Sequence, residues 1–187
     1  KVDEIFNIFC ETFFSSNYQF FKSTLLPFIS KNEKFVSENI HEIAEASFLD
    51  QSGYFAFEFM KHPSFDVNYH FNDINGSSLL MKAVQNKNNK IIELLLKDPK
   101  LDINQFAYNS MTIFHIACRS NLNIKAFELI CNHPKIDINI TNDSAIFAGY
   151  KLLASCGNFL QLSCLFDKFP DSLIFDDFQE ILFQCLT

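Results

Sequence analysis

The sequence predicts an all-α solenoid of stacked helix-turn-helix units, and three observations predict it. A short tail containing proline, aspartate and asparagine recurs at residues 62–68, 98–104 and 133–139. Its prolines are 36 and 35 residues apart, and Glu58, Glu93 and Glu128, which precede the tails, are each 35 residues apart. A fixed period of this length is typical of repeats that bury their apolar faces against their neighbours.

The composition allows a buried core and disfavours several classes of partner. Of the 187 residues, 48% are hydrophobic and 24 are phenylalanine, which is enough apolar material for a continuous core. The net charge of −7 and the absence of long basic runs disfavour nucleic acid as a partner. No apolar stretch reaches the ~18 residues that a membrane span needs. We therefore expect neither nucleic-acid binding nor membrane insertion.

The six cysteines are scattered through the chain without a Cys-x-x-Cys pair. Cysteine is a small apolar residue that is often buried, so this distribution favours reduced thiols in the core rather than a disulfide framework. Reduced thiols are typical of cytosolic proteins. The sequence thus predicts a cytoplasmic location.

The first 35 residues are rich in phenylalanine at helical spacing, and they predict two short helices separated by Ser15, Ser16 and Asn17. This segment is either an N-terminal cap of the repeat array or the end of a preceding domain. Few basic residues accompany the aromatic ones, which favours a buried core over a membrane-surface face.

Residues 36–187 are predicted to form the array, with units at about 36–70, 71–105, 106–140 and 141–175 and a partial unit at 176–187. The first unit would pair a helix over 36–46 with one over 54–60, which ends near Pro63 because proline cannot continue a helix. Gly76 would then supply the turn of an extended loop that begins at Tyr69. Because the last segment is apolar, the array either continues beyond Thr187 or ends in a capping helix.

Two later units align residue by residue. Ser78 and Thr112 stand 34 residues apart, each at the expected N-cap of a first helix. Ala83 and Ala117 follow, where a small side chain lets two helices approach closely. The second helices are expected over 91–96 and 126–130.

These residues carry a family resemblance. Residues 112–117, Thr-Ile-Phe-His-Ile-Ala, are similar to the Thr-Pro-Leu-His-x-Ala box of the ankyrin repeat, whereas residues 78–83 keep only Leu80 and Ala83 of it. The usual Gly-Ala before the exit is replaced by a longer His/Asp-Pro form. The resemblance implies an ankyrin-like helical solenoid with projecting loops, in which His115 has a structural role at a helix start.

The resemblance also implies where a partner would bind, namely on the projecting loops and on the exposed side of the first helices. Aromatic residues in loops add to this expectation because aromatics are favoured interface anchors, although Phe71 and Phe106 could instead fold back between adjacent loops. The predicted partner-binding residues are Phe71, Ile74, Asn75, Ser77, Gln85, Asn86, Phe106, Tyr108, Asn109, Met111, Arg119 and Ser120.

Candidate catalytic and metal-binding groups are weak. His115 and Cys118 are three residues apart, and this pair alone does not make a zinc site. The four dispersed glycines cannot form a phosphate-binding loop. We expect no catalytic residues, no metal and no cofactor, and we expect that the chain is not an enzyme.

Two function classes remain. The favoured one is a protein–protein interaction module or scaffold, which binds a protein that the sequence does not identify and belongs to a longer chain or larger assembly. The alternative is an architectural component embedded in a large assembly, for example a cytoskeletal one, with both faces covered.

Overall fold

The computed structural model describes residues 2–108, 110–119, 124–140, 153 and 158–169, and every regular element among them is helical. In chain order the α-helices are α1 (Val2–Phe14), α2 (Tyr18–Phe20), α3 (Leu26–Lys31), α4 (Glu33–Glu38), α5 (Ile40–Ala46), α6 (Tyr54–Met60), α7 (Leu79–Gln85), α8 (Asn89–Leu95), α9 (Ile113–Arg119), α10 (Ile124–Cys131) and α11 (Phe159–Lys168). The all-α prediction is confirmed. Two compact units divide the chain, one of residues 1–69 and 88–101 and one of residues 70–87 and 102–187.

The first unit begins with two helical segments that meet at a sharp turn. Ser16 adopts a positive φ of 49° and ends α1. The side chain of Asn17 then accepts a hydrogen bond from the N–H of Phe20 and caps the next segment. A single π-helical turn, Phe21–Leu25, joins α2 to α3, whose first turn contains Pro27. The predicted pair of N-terminal helices around Ser15-Ser16-Asn17 is thus observed.

The phenylalanines of this segment form a core with the helices that follow. Phe9 and Phe13 of α1 are fully buried with Phe21, and they pack on Phe55 and Phe59 of α6. The ring centroids of Phe13 and Phe55 are 4.9 Å apart, and most neighbouring pairs are tilted or edge-to-face, the preferred geometry for aromatic rings. The predicted buried aromatic core is thus observed at Phe9, Phe13 and Phe21, whereas Phe14 at the end of α1 is exposed.

The predicted single helix over 36–46 is wrong, because Asn39 divides it into α4 and α5. Asn39 has φ −126° and ψ 17°, outside the helical region. Its side-chain amide donates to the carbonyl of Phe35 at 2.7 Å. A short polar side chain that bonds locally to the backbone competes with the helical pattern, which explains the break.

Asn88 anchors α8 within the first unit. Its side chain is fully buried, and its amide donates to the carbonyls of Phe48 and Asp50 at 3.0 and 3.1 Å. Its Oδ1 accepts from the N–H of Ile91 at 3.2 Å and caps the helix. In the second unit, Asn158 precedes α11 and donates to the carbonyl of Cys118 at 3.1 Å. In both cases an asparagine at the start of a second helix bonds to a carbonyl 40 residues earlier.

The recurring tail is a repeated turn. In each copy the aspartate Oδ1 accepts from the N–H of the asparagine two residues later, at 2.9 to 3.0 Å, and the aliphatic residue between them is buried. The side-chain amide of Asn68 donates to the carbonyl of Lys100, and that of Asn104 donates to the carbonyl of Lys135. Asn68 and Asn104 therefore each join their own tail to the next tail along the chain. This hydrogen bond between tails explains why the motif recurs in successive repeats.

The residue before each tail proline closes the same turn, with either a histidine nitrogen or an aspartate oxygen as the hydrogen-bond acceptor. His62 and His133 accept through Nδ1 from the N–H two residues later, at 3.2 and 3.3 Å, and Asp98 accepts equivalently through Oδ1 at 2.9 Å. These bonds give both histidines a structural role just after the end of a second helix. The predicted units beyond residue 140 lie largely outside the described residues. In that part of the chain the structure describes only Leu153 and residues 158–169. The predicted domain boundaries remain a prediction.

Candidate protein-interaction surface

The loop of residues 70–78, here called the first finger, is held closed by its own hydrogen bonds. The N–H of Phe71 donates to the carbonyl of Ser77 at 2.9 Å, and His70 bonds through Nδ1 to the carbonyl of Gly76 at 2.8 Å. The other ring nitrogen of His70 lies 2.8 Å from Oε1 of Gln105. Because both ends of the loop are tied, its tip is presented in one conformation.

Asp73 organises the tip of the first finger. Its Oδ1 accepts from the N–H groups of Asn75 and Ser77, and its Oδ2 pairs with the ammonium of Lys82 on α7 at 2.9 Å. The hydrogen bond from Lys82, with the backbone bonds, lowers the pKa of Asp73 to about 2. The ammonium of Lys82 also lies 5.4 Å from the ring centroid of Phe71. The finger is therefore fastened to the helix behind it.

The second finger, residues 106–111, follows the same design and touches the first. The N–H of Ala107 donates to the carbonyl of Met111 at 2.9 Å, and Ser110 takes a positive φ of 63°. The N–H of Tyr108 donates to the carbonyl of Asn75 at 2.8 Å. The ring of Tyr108 lies on the backbone of Gly76, where an added Cβ would be 2.4 Å from it. Adjacent tips are thus joined by a hydrogen bond and by a close aromatic contact.

Two large apolar side chains stand exposed on this pair of fingers. Ile74 is 98% exposed and Tyr108 is 64% exposed. Asn75, which follows Ile74 in the chain, is also exposed, and so are Gln85 and Asn86 at the end of α7. We name these five residues the fingertip surface. The fingertip surface thus combines two large apolar side chains with polar ones.

The comparison with family models agrees with this geometry. A model described as ankyrin repeats, in three copies, matches residues 41–142, which is more than half of the chain. The chain is an ankyrin-repeat protein. A search of curated proteins returned no match. The predicted family and its helical repeat fold are therefore confirmed, and ankyrin repeats are generally protein–protein interaction modules.

The ankyrin box uses one hydrogen-bond pattern with two different side chains. In the third repeat the N–H of Thr112 donates to Nδ1 of His115 at 3.3 Å, and the threonine hydroxyl lies 2.8 Å from the same nitrogen. In the second repeat Ser78 caps α7 by accepting from the N–H of Met81, and its own N–H faces the methionine sulfur at 3.4 Å. His115 thus has the structural place at a helix start that the resemblance implied.

Several residues predicted for partner binding are buried or half-buried, and others lie outside the described residues. Ser77 is 2% exposed and Phe71 is 6% exposed, because the finger folds both against its own backbone and α7. Phe106 and Met111 are half-buried. Of the aromatic loop residues, Phe71 therefore takes the alternative in which the ring folds back. Asn109, Ser120 and the side chain of Arg119 lie outside the described residues.

Chemistry-bearing groups are not gathered into a site in the part of the chain that the structure describes. That part contains no group of three or more histidine, cysteine or acidic side chains able to hold a metal ion. Cys10, Cys131 and Cys164 are free thiols, and burial raises the pKa of Cys131 to about 12. No helix in the described residues is long and apolar enough to cross a membrane.

Sequence reasoning missed exposed aromatic residues on helices, and Phe57 is one of them. Phe57 of α6 is 46% exposed, although its neighbours Phe55 and Phe59 are buried. The signal was available, since Phe57 lies between two core positions and therefore points to another side of the helix. The helical spacing of α6 could have identified it.

Proposed function

We propose that this ankyrin-repeat protein is a protein–protein interaction module or scaffold that holds its partner on the fingertip surface. The observation that carries the proposal is the pair Ile74 and Tyr108, two large side chains exposed on ordered loops. Covering each one would contribute about 1.5 to 3 kcal/mol if it became fully buried, so the pair could account for much of a micromolar affinity.

The rigidity of the fingers favours binding as well. Tyr108 is already positioned by its contact with Gly76 and by the hydrogen bond to Asn75. A side chain that is ordered before binding loses less conformational entropy when the partner arrives. Gln85 and Asn86 add exposed neutral hydrogen-bonding groups at the end of α7. Apolar anchors together with exposed polar groups are what a specific interface requires.

The remaining parts of the proposal extend what is typical of the family. Ankyrin repeats are typically non-catalytic, and we extend this to the present chain, with no cofactor. Free thiols at Cys10, Cys131 and Cys164 support a cytoplasmic location. The partner that we propose is a protein.

The test compares capture of partners by matched variants. The chain and its Ile74→Ser/Tyr108→Ser variant are used as baits in extracts of the source cell, and captured proteins are quantified by mass spectrometry. A Leu160→Ser variant is the control, since Leu160 is largely exposed on α11 and outside the fingertip surface. We expect the double variant to lose the partner that the control retains. Equal capture by all three baits would contradict the proposal.

A second candidate, an architectural role inside a large assembly, is favoured by other exposed apolar side chains. Phe14 at the end of α1 and Leu160 on α11 are largely exposed. An embedded array would need such positions covered by neighbours. Size-exclusion chromatography with light scattering separates the candidates, because the module is expected to be monodisperse alone and the embedded array is expected to aggregate.

A further inference from the structure

A second candidate surface lies in the first unit and shares no residue with the fingers. It is an apolar groove of about 550 Å³. Aromatic and aliphatic groups dominate its lining, which consists of Tyr18, Lys22, Ser52, Gly53, Tyr54, Phe57 and Leu94. The N-terminal segment, α6 and α8 each contribute to it.

The walls of the groove are fixed before any ligand arrives. The hydroxyl of Tyr18 donates to Oδ1 of Asp50 and also lies 3.0 Å from the hydroxyl of Ser52. Its ring stacks on Phe55 at 4.9 Å and meets Tyr54 edge-on at 5.3 Å. A rigid apolar concavity of this kind binds with little loss of conformational entropy.

Basic side chains border the groove. The ammonium of Lys22 lies 5.7 Å from the ring centroid of Tyr54. On α8, Lys90 precedes Leu94 by one helical turn and shares its face, and the Lys90 Cβ would lie 3.4 Å from a Cβ placed on Gly53. Among the residues that the structure describes, neither lysine forms a salt bridge with a carboxylate.

Asp50 and Glu58, which are close in sequence to the groove residues Ser52 and Phe57, have partners other than these lysines. Asp50 is buried and accepts from the hydroxyls of Ser16, Tyr18 and Ser52, so its charge is directed into the fold. Glu58 is paired with Lys61 at 2.9 Å, and the Lys61 ammonium lies 4.1 Å from the ring centroid of Phe57. The groove therefore has a basic border in a chain whose net charge is −7.

We propose that this groove binds an acidic peptide segment of a partner protein, in which a large apolar side chain is flanked by carboxylates. The apolar side chain inserts between Tyr18, Phe57 and Leu94, and the carboxylates pair with Lys22 and Lys90. The two lysines favour a peptide of negative charge, and the aromatic walls of the groove supply most of the affinity. The site is separate in its residues from the fingertip surface and does not depend on it.

The experiment selects binders of the full 187-residue chain from a random peptide library displayed on phage. We expect selected sequences that place a large apolar residue between acidic ones. A synthetic, fluorescently labelled peptide of that kind is then titrated by fluorescence polarisation. Phe57→Ser is expected to weaken its binding about thirtyfold, as the loss of an aromatic anchor does. Lys22→Glu and Lys90→Glu are each expected to weaken it about fivefold or more, because each also introduces repulsion.

Matched controls make the result specific. Phe14→Ser removes an exposed phenylalanine that does not line the groove, and Ile74→Ser alters the fingertip surface, so neither is expected to change the affinity. Circular dichroism melts verify that every variant is folded. A peptide with lysine in place of each acidic residue is expected not to bind.

Three outcomes would overturn the proposal. The first is selection of no acidic-apolar peptides, and the second is equal binding of the selected peptide by the Phe57→Ser variant and the unmodified chain. The third is complete displacement of the peptide by a long-chain fatty acid that binds more tightly, which would assign the groove to a small amphipathic ligand. None of these outcomes bears on the fingertip surface, which the Ile74 and Tyr108 variants test separately.

Discussion

Replacing Asn88 with alanine tests the packing of the repeats most sharply at a single residue. The side chain is fully buried and makes three hydrogen bonds, two as donor to the carbonyls of Phe48 and Asp50 and one as acceptor from Ile91. At about 1 kcal/mol for each bond, the variant should lose about 3 kcal/mol of unfolding free energy. That loss corresponds to a fall in melting temperature of about 6 to 12 °C for a chain of this size.

An Asn88→Asp variant is the matched partner of this experiment. It keeps the shape and the acceptor that caps α8, but it replaces two donors with an oxygen facing two carbonyls. Burial and these carbonyls should raise the pKa of the introduced carboxyl above the ~3.9 of an unfolded aspartate. The stability of this variant should therefore be highest near pH 4 and decrease as the pH rises toward 7.

Thermal and urea denaturation followed by circular dichroism measure both effects. Tyrosine fluorescence can report on the tertiary structure, because the chain has no tryptophan. A loss below about 0.5 kcal/mol for the alanine variant, within the range of ordinary surface substitutions, would refute the claim that Asn88 holds the start of α8 to the preceding repeat.

Three other predictions concern backbone strain and pH. Lys87 has a positive φ of 55°, so Lys87→Gly should raise the unfolding free energy by about 0.5 to 1 kcal/mol in urea titrations. Gly76→Ala should lower the unfolding free energy by about 2 kcal/mol or more, because the added Cβ would overlap the ring of Tyr108. Adding Tyr108→Ser should recover the steric part of this loss but not the ~1 kcal/mol strain of a positive φ. If the losses of the two single variants were fully additive in the double variant, this account would be contradicted. Burial and a neighbouring lysine lower the pKa of His133, and burial lowers the pKa of His41. Each histidine should stabilise the fold fully above its unfolded pKa of ~6.5, and this contribution should decrease as the pH falls below that value. Between about pH 8 and pH 5, the melting temperature of a His133→Asp variant should therefore decline less than that of the unmodified chain. An equal decline in both would argue against the role of His133.

The repeat fold was predictable because its main signals are local and periodic. The tail residues keep their spacing since each aspartate must bond to the asparagine two residues later and each aliphatic residue between them must be buried. Glu58, Glu93 and Glu128 are each the fifth residue of α6, α8 and α10, so the alignment of the second helices was also correct. The helix break at Asn39 was missed because it depends on one side chain that competes for a backbone carbonyl.

The candidate surface was only partly predictable, because exposure on a loop depends on how the loop folds back. Ile74 and Ser77 belong to the same finger and were both expected to face a partner. The bonds of Asp73 turn Ser77 inward and leave Ile74 at the tip. The stacking of Tyr108 on Gly76 joins two repeats and has no signal within either one. Likewise, the groove beside Phe57 combines residues that are far apart in the sequence.

The most direct test of the binding account is hydrogen exchange of the whole chain with and without the partner captured by the bait experiment. The account predicts slower amide exchange in peptides covering residues 72–78 and 105–111 when the partner is bound. Unchanged exchange in both fingers, with protection confined to other segments, would contradict the assignment of the fingertip surface as the place where the partner binds.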